Sequence, residues 1–483
     1  MTKQNGILLH ISSLPSKYGI GSLGLEAFKF IDFLSDCGVD FWQILPIGQT
    51  SFGDSPYQSL SAFAGNPYFI DLEILSSDGL LSSDEIANER VSTGRVDFSL
   101  LFERRFSTLR VAFARFKPDN TYTNFVVDNS YWLDDYALFM ALKTKFAFTE
   151  WRAWPSCFKF KSKLTSEHIC ALECETNFWK FIQFCFDAQM RNLVKYAKSK
   201  GVGIISDMPI YVANDSADVW ANPKLFQLDK NLNPKFVAGV PPDYFAKDGQ
   251  LWGNPLYNWN ALEKTDYKWW HDRILHSLTY CDKIRIDHFR GFESYYKVPF
   301  GAENAVLGEW IKGSKLKMFK GIWNEVSGRI IAEDLGIITD SVRRLLKKSG
   351  FPGMKVLQFA FDGKPNNEYL PRNVKNENTV YYTGTHDNNT LKGWYDEADI
   401  KTRALYLSEV KPKTETPIEA GIRAVMSSRA DLVVVPMQDY LGLGAEARMN
   451  IPSTSVGNWT WQMNDDYVNI AKSVRKFTLL RNK

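Results

Sequence analysis

Apolar positions along this chain fall into short, nearly continuous runs bounded by Gly, Pro or Asp, a pattern that predicts strands covered on both faces. Eight such runs stand at 6–11, 40–47, 201–208, 281–287, 328–334, 354–361, 379–386 and 431–437. Several of the gaps between them carry apolar residues at helical spacing, notably 24–37, 132–147, 175–200 and 339–349. Eight parallel strands alternating with helices is the α/β pattern of a TIM (β/α)8 barrel, whose chemistry sits at the C-terminal ends of the strands.

Two of the connections are too long for plain crossovers. Roughly 150 residues separate the second and third strands, far more than an ordinary loop, so 48–200 is expected to be a mainly helical insertion packed on the barrel. The stretch 211–280, after the third strand, is rich in Trp, Asn, Pro and Gly. Its centre, 239–257, has the turn chemistry of a lid loop over an active site. The whole of 1–483 then reads as one catalytic domain with two insertions.

Composition narrows the classes. Lys and Arg number 58 against 55 Asp and Glu, a net charge of +3, with no basic run to track a phosphate backbone, so nucleic acid is not an expected partner. No segment approaches the length of a membrane span, and the chain reads as soluble and cytoplasmic. Six scattered cysteines fit free thiols in a reducing compartment. His168, Cys170 and Cys174 lack a fourth ligand for zinc, so no metal is expected, and the two cysteines are expected to be buried thiols on a helix.

The charged strand ends carry the chemistry. In Lys283-Ile-Arg-Ile-Asp287, Arg285 and Asp287 are two apart and share one side of the strand. An Asp beside a fixed guanidinium is favoured in its ionised form, as a nucleophile requires, although the same pair serves as a structural ion pair. Glu333 and Asp387 end two further strands, and three carboxylates at strand ends converge on one site. Aromatic residues make up 14% of the chain. Many stand beside polar turns, among them Tyr57, Tyr244, Phe245, Trp252 and Trp459, and such rings suit the C–H faces of sugars. Two carboxyls flanking a glycosidic bond form the machinery of retaining glycosidases.

The segments Ile286-Asp-His-Phe-Arg-Gly291, Ala332-Glu-Asp-Leu-Gly336 and Gly384-Thr-His-Asp-Asn388 resemble the amylomaltase family, the 4-alpha-glucanotransferases or disproportionating enzymes. The likeness runs from Gly6-Ile-Leu-Leu-His10 through Asp54-Ser-Pro-Tyr-Gln58 and Asp207-Met-Pro-Ile-Tyr-Val212 to Arg448-Met-Asn-Ile-Pro452 and Gly457-Asn-Trp459. It implies a retaining transfer of alpha-1,4-glucan segments, with alpha-1,4-glucans and malto-oligosaccharides as substrates and no cofactor. By the same resemblance Asp287 is the nucleophile, Glu333 the acid/base and Asp387 the third acid. Arg285, His386, Asp207, Tyr57, Trp252, Tyr244, Phe245 and Asn458 are implied as sugar-binding residues. The chain departs from the family pattern at Ser22, Asn389 and Ser453, where Asp, Asp and Gly are common; a Gly at 453 would allow a positive φ.

Three other functions compete. A plain alpha-glucan hydrolase would use the same acids with water as acceptor. A catalytically idle glucan-binding protein would have lost an acid, and all three are present. A Schiff-base aldolase would need a Lys at a strand end, whereas Lys355 stands early in its strand.

Overall fold

The computed structural model describes residues 3–91, 94–242, 247–375 and 377–481. Eight strands form one parallel sheet in chain order: β1 (Gln4–Leu8), β2 (Phe41–Gln43), β3 (Gly203–Met208), β4 (Lys283–Ile286), β5 (Ile330–Ala332), β6 (Gly353–Val356), β7 (Thr379–Tyr382) and β8 (Leu432–Pro436). β8 pairs back onto β1, from Gln4↔Leu432 to Leu8↔Pro436. Between β5 and β6 the ring closes without a ladder. There the Ala332 N–H donates to the Pro352 carbonyl at 2.9 Å. The Met354 N–H donates to the Asp334 carboxylate at 2.6 Å.

Each of the eight expected runs overlaps a strand, but the strands are shorter, and two begin earlier than expected, at Gln4 and Gly353. Leu357 to Phe359, expected as strand, is a 3-10 turn, and 44–47 continues β2 as irregular chain. Those residues stay mostly buried, so their hydrophobicity reports enclosure in the strand-end loops rather than ladder pairing. β8, Leu-Val-Val-Val-Pro, is buried at every position, as a strand covered by helices on one face and by the barrel interior on the other must be.

Helices fill most crossovers. Leu25–Cys37 links β1 to β2 and stops at Gly38, whose φ of +72° lets its N–H reach the Leu34 and Ser35 carbonyls. Glu173–Ser199 leads into β3, Lys268–Ser277 into β4 and Asp340–Ser349 into β6. In the 48–200 stretch the longer helices are Phe98–Arg115, Asn120–Asp128, Ser130–Lys145 and the Glu173–Ser199 helix. Cys170, at the end of the short Ser166–Cys170 helix, and Cys174, in the first turn of Glu173–Ser199, stand on helices as expected but are exposed, not buried. The His168 ring instead accepts the Thr165 N–H and packs on Phe158.

The 239–257 segment is not an irregular loop. Phe236–Val240 and Gln250–Pro255 pair as antiparallel strands of a four-stranded sheet completed by Ser294–Pro299 and Glu309–Lys312. That sheet draws two strands from the connection after β4, where Ser-Tyr-Tyr-Lys-Val-Pro has the β-rich composition of a strand. Below the barrel, the Ala471–Arg481 helix ends on Arg481, which is fully buried and donates to the carbonyls of Gln4, Met426, Ser428 and Ala430. No helix among the described residues is long and apolar enough to cross a membrane.

Candidate active site

The strand ends open into a cleft of about 2020 Å³ whose wall includes Asp287, Glu333, Asp387, Arg285, His386, Tyr57 and Trp252. Its electrostatic base is built in register. Asp207 on β3 lies beside Arg285 on β4, and the guanidinium contacts both Asp207 oxygens at 2.8 and 2.6 Å. The other guanidinium nitrogen donates to Asp287 Oδ1 at 2.9 Å. Asp207 is fully enclosed, with Oδ2 also accepting the Tyr57 hydroxyl at 2.9 Å, so it stands one layer below the cleft and supports Arg285 rather than lining the wall.

Asp287 keeps 30% of its side-chain surface open to the cleft. It nonetheless lies deep in the barrel mouth, and its pKa is raised: burial is the largest cause, and the Asp207 and Asp387 charges add to it against the pull of Arg285. Glu333, just past β5, is pushed up to about 8 by burial first and the Asp287 charge second. Two backbone donors oppose this, the His288 N–H on Oε2 and the Leu335 N–H on Oε1, both at 2.7 Å. His288 presents its N–H from a left-handed conformation, φ +47°. The site therefore holds two neighbouring carboxyls with one proton favoured on Glu333, the division of labour that acid/base and nucleophile require.

Asp387 is held from the opposite side. The Asn450 amide donates to its Oδ1 at 2.7 Å and Arg448 binds its carbonyl at 2.7 Å. His386 Nε2 lies 3.4 Å from Oδ2. The His386 ring stacks on Tyr57, centroids 5.0 Å apart at 18°, and Trp459 closes the aromatic corner at 5.8 Å from both. Trp252, on the four-stranded sheet, meets His288 edge to face at 4.8 Å.

Not every expected sugar contact reaches the wall. Asn458 is buried, its carbonyl accepting the Ile451 N–H and its amide donating to Thr454, so it staples the 451–454 turn. Tyr244 and Phe245 lie outside the described residues. Lys355 pairs with Glu368 at 2.7 Å and is not part of the cleft wall. Asn450, Arg448 and His288 escaped sequence reasoning, although all three stand inside the quoted motifs. Their neighbours drew notice only as conspicuous acids and rings. Ser453 adopts φ +65° despite its side chain. Ser22 donates to Asp71 at 2.6 Å, and Asp71 caps the following helix.

Comparison with known proteins gives one consistent result. The sequence profile of the 4-alpha-glucanotransferase family matches residues 9–468. A 4-alpha-glucanotransferase of Clostridium butyricum is 48% identical over 470 residues, covering 95% of this chain and 96% of that protein. One from Thermus thermophilus is 45% identical, covering 95% and 94%. Among solved structures, amylomaltase from Streptococcus agalactiae in complex with acarbose superposes with a TM-score of 0.96 at 37% identity, covering 100% of this chain and 99% of that one.

Proposed function

The chain belongs to the 4-alpha-glucanotransferase family, and from that membership we propose how its cleft cleaves an alpha-1,4-glucan and passes the released segment to the 4-hydroxyl of another glucan or of glucose. Asp287 attacks the anomeric carbon through Oδ2, the oxygen that Arg285 leaves free. The C1–O bond breaks as Glu333 gives its proton to the departing sugar oxygen, and a covalent glycosyl-Asp287 ester forms. Glu333, now ionised, takes the proton of the incoming 4-hydroxyl, that oxygen bonds to C1, and Asp287 is released.

Asp387 holds hydroxyls of the reacting ring, its own oxygens oriented by Asn450 and His386. Tyr57 and Trp252 supply stacking faces. The four-stranded sheet that carries Trp252 is the lid: with an acceptor seated against it, water is kept from the ester. Six free thiols support a cytoplasmic setting.

The observation that carries this reading is the ordered carboxyl pair, Asp287 ligated by a buried guanidinium and Glu333 with its pKa raised in the same cleft. Incubation with maltotriose tests it. Glucose together with oligomers longer than maltotriose is the expected product set, and shorter sugars alone would make the protein a hydrolase.

A further inference from the structure

We propose that His10 is a positioning residue that fixes the ring proton of His386 through one water bridging them in a small pocket beside the cleft. The pocket, about 20 Å³, is lined by His10, His386, Asn389, Gln438 and Arg448 among others. A water needs on the order of 10–15 Å³ and two or more polar partners. His10 is buried at the end of β1, and its Nδ1 accepts the Leu45 N–H at 3.2 Å.

A neutral imidazole that accepts at Nδ1 carries its proton on Nε2, so His10 offers a donor on its other edge. Burial, reinforced by His386, holds His10 at about 3 and therefore neutral near physiological pH. Asn389 supplies the complement: it is only 8% exposed and its Oδ1 meets no donor from the protein. A water accepting from His10 Nε2–H has two protons to give, one to Asn389 Oδ1 and one to His386 Nδ1. His386 must then carry its own proton on Nε2, the nitrogen 3.4 Å from Asp387 Oδ2. Stacking on Tyr57 fixes the plane of the ring. The outcome is a donor aimed at the third acid and at any sugar hydroxyl beside it.

This inference rests on the function proposed above for its consequence, but its principal readout does not. Only six histidines are present, so ring nitrogen-15 shifts of histidine-labelled protein, with the His386 signal assigned by a His386→Gln variant, report the tautomer directly. Wild type is expected to show His386 protonated on Nε2. His10→Phe keeps a ring of similar shape but removes both polar edges. It is expected to mix the His386 tautomers and to lower kcat on the order of ten- to a hundredfold with KM within about twofold. His10→Gln, whose oxygen can accept from Leu45 and whose amide can donate into the pocket, should restore most of that loss. The proposal is overturned by a wild-type His386 protonated on Nδ1, by an unchanged tautomer in His10→Phe, or by equal impairment in the Phe and Gln variants. The wild-type spectrum decides even where a variant fails to fold. The expected tautomer in a protein without transfer activity would overturn the function and leave the relay standing.

Discussion

Glu333→Gln should change how the melting temperature depends on pH, not only the rate. The folded protein raises the Glu333 pKa from 4.5 to about 8, so folding favours the protonated form. Its contribution to stability is full below pH 4.5 and is lost as pH rises towards 8. Within that window wild type loses about 1.4 kcal/mol per pH unit relative to a variant that cannot ionise there, about 5 kcal/mol in all. Gln carries a separate, pH-independent cost. Both Glu333 oxygens accept backbone N–H groups, so the amide nitrogen must face a donor, at roughly 1–3 kcal/mol.

The test is therefore the slope and not the offset. Unfolding entropy for 483 residues is about 1 kcal/mol per kelvin, so the melting difference should grow by about 5 °C between pH 4.5 and 8 and be flat outside that range. Asp218, Asp334 and Asp439, each raised to about 6 chiefly by burial, are common to both proteins and cancel. Calorimetry at constant ionic strength measures it. Parallel curves for the two proteins would refute the raised carboxyl and with it the acid role.

Asp287→Asn should lower transfer by several orders of magnitude with the fold intact by circular dichroism, and near-normal turnover would displace it as nucleophile. Glu333→Gln should impair natural glucans far more than a glucosyl fluoride, on which the covalent ester should accumulate and be visible by mass spectrometry; equal loss on both donors would argue against acid/base catalysis. Asp207→Asn removes the enclosed partner of Arg285 and should destabilise by about 3–5 kcal/mol, which thermal melting would reveal, while an unchanged midpoint would mean the guanidinium finds other support. Trp252→Ala should reduce chain-lengthened products more than glucose release by hydrolysis, since acceptor stacking is worth roughly 1 kcal/mol and water needs none. An unaltered product ratio would remove the sheet from the lid role.

The barrel was legible because its strands are apolar on both faces, a signature that survives without any tertiary information. Asp287, Glu333 and Asp387 were legible because charged residues directly after such runs stand out against them. What escaped was pairing that depends on distant chain. The four-stranded sheet joins segments from two different connections, and its 236–240 and 250–255 strands, bounded by Pro and Gly, read locally as loop. Asp207 enters as a sugar ligand only through the family resemblance, and sequence does not show the register that places Arg285 against both its oxygens. Asn458 likewise enters only through the resemblance, and sequence does not show that its amide holds the turn beside Trp459. Ser453 keeps the positive φ for which Gly would be the unstrained choice, so the surrounding turn, stapled by Asn458, overrides local preference.

Arg481 is the last piece of the barrel floor to be made. The carbonyl of Gln4, in the first strand, is satisfied from a side chain 477 residues later, so nascent chain leaves the ribosome with the barrel floor unsealed. At synthesis rates of about 5–20 residues per second, that interval is roughly half a minute or more for the Gln4 carbonyl, whereas the Met426, Ser428 and Ala430 carbonyls wait only seconds. A message cut short by one helical turn at the Ala471–Arg481 helix would yield a polypeptide with every catalytic group and the β8–β1 ladder in place, but with four carbonyls of the barrel floor left without their donor.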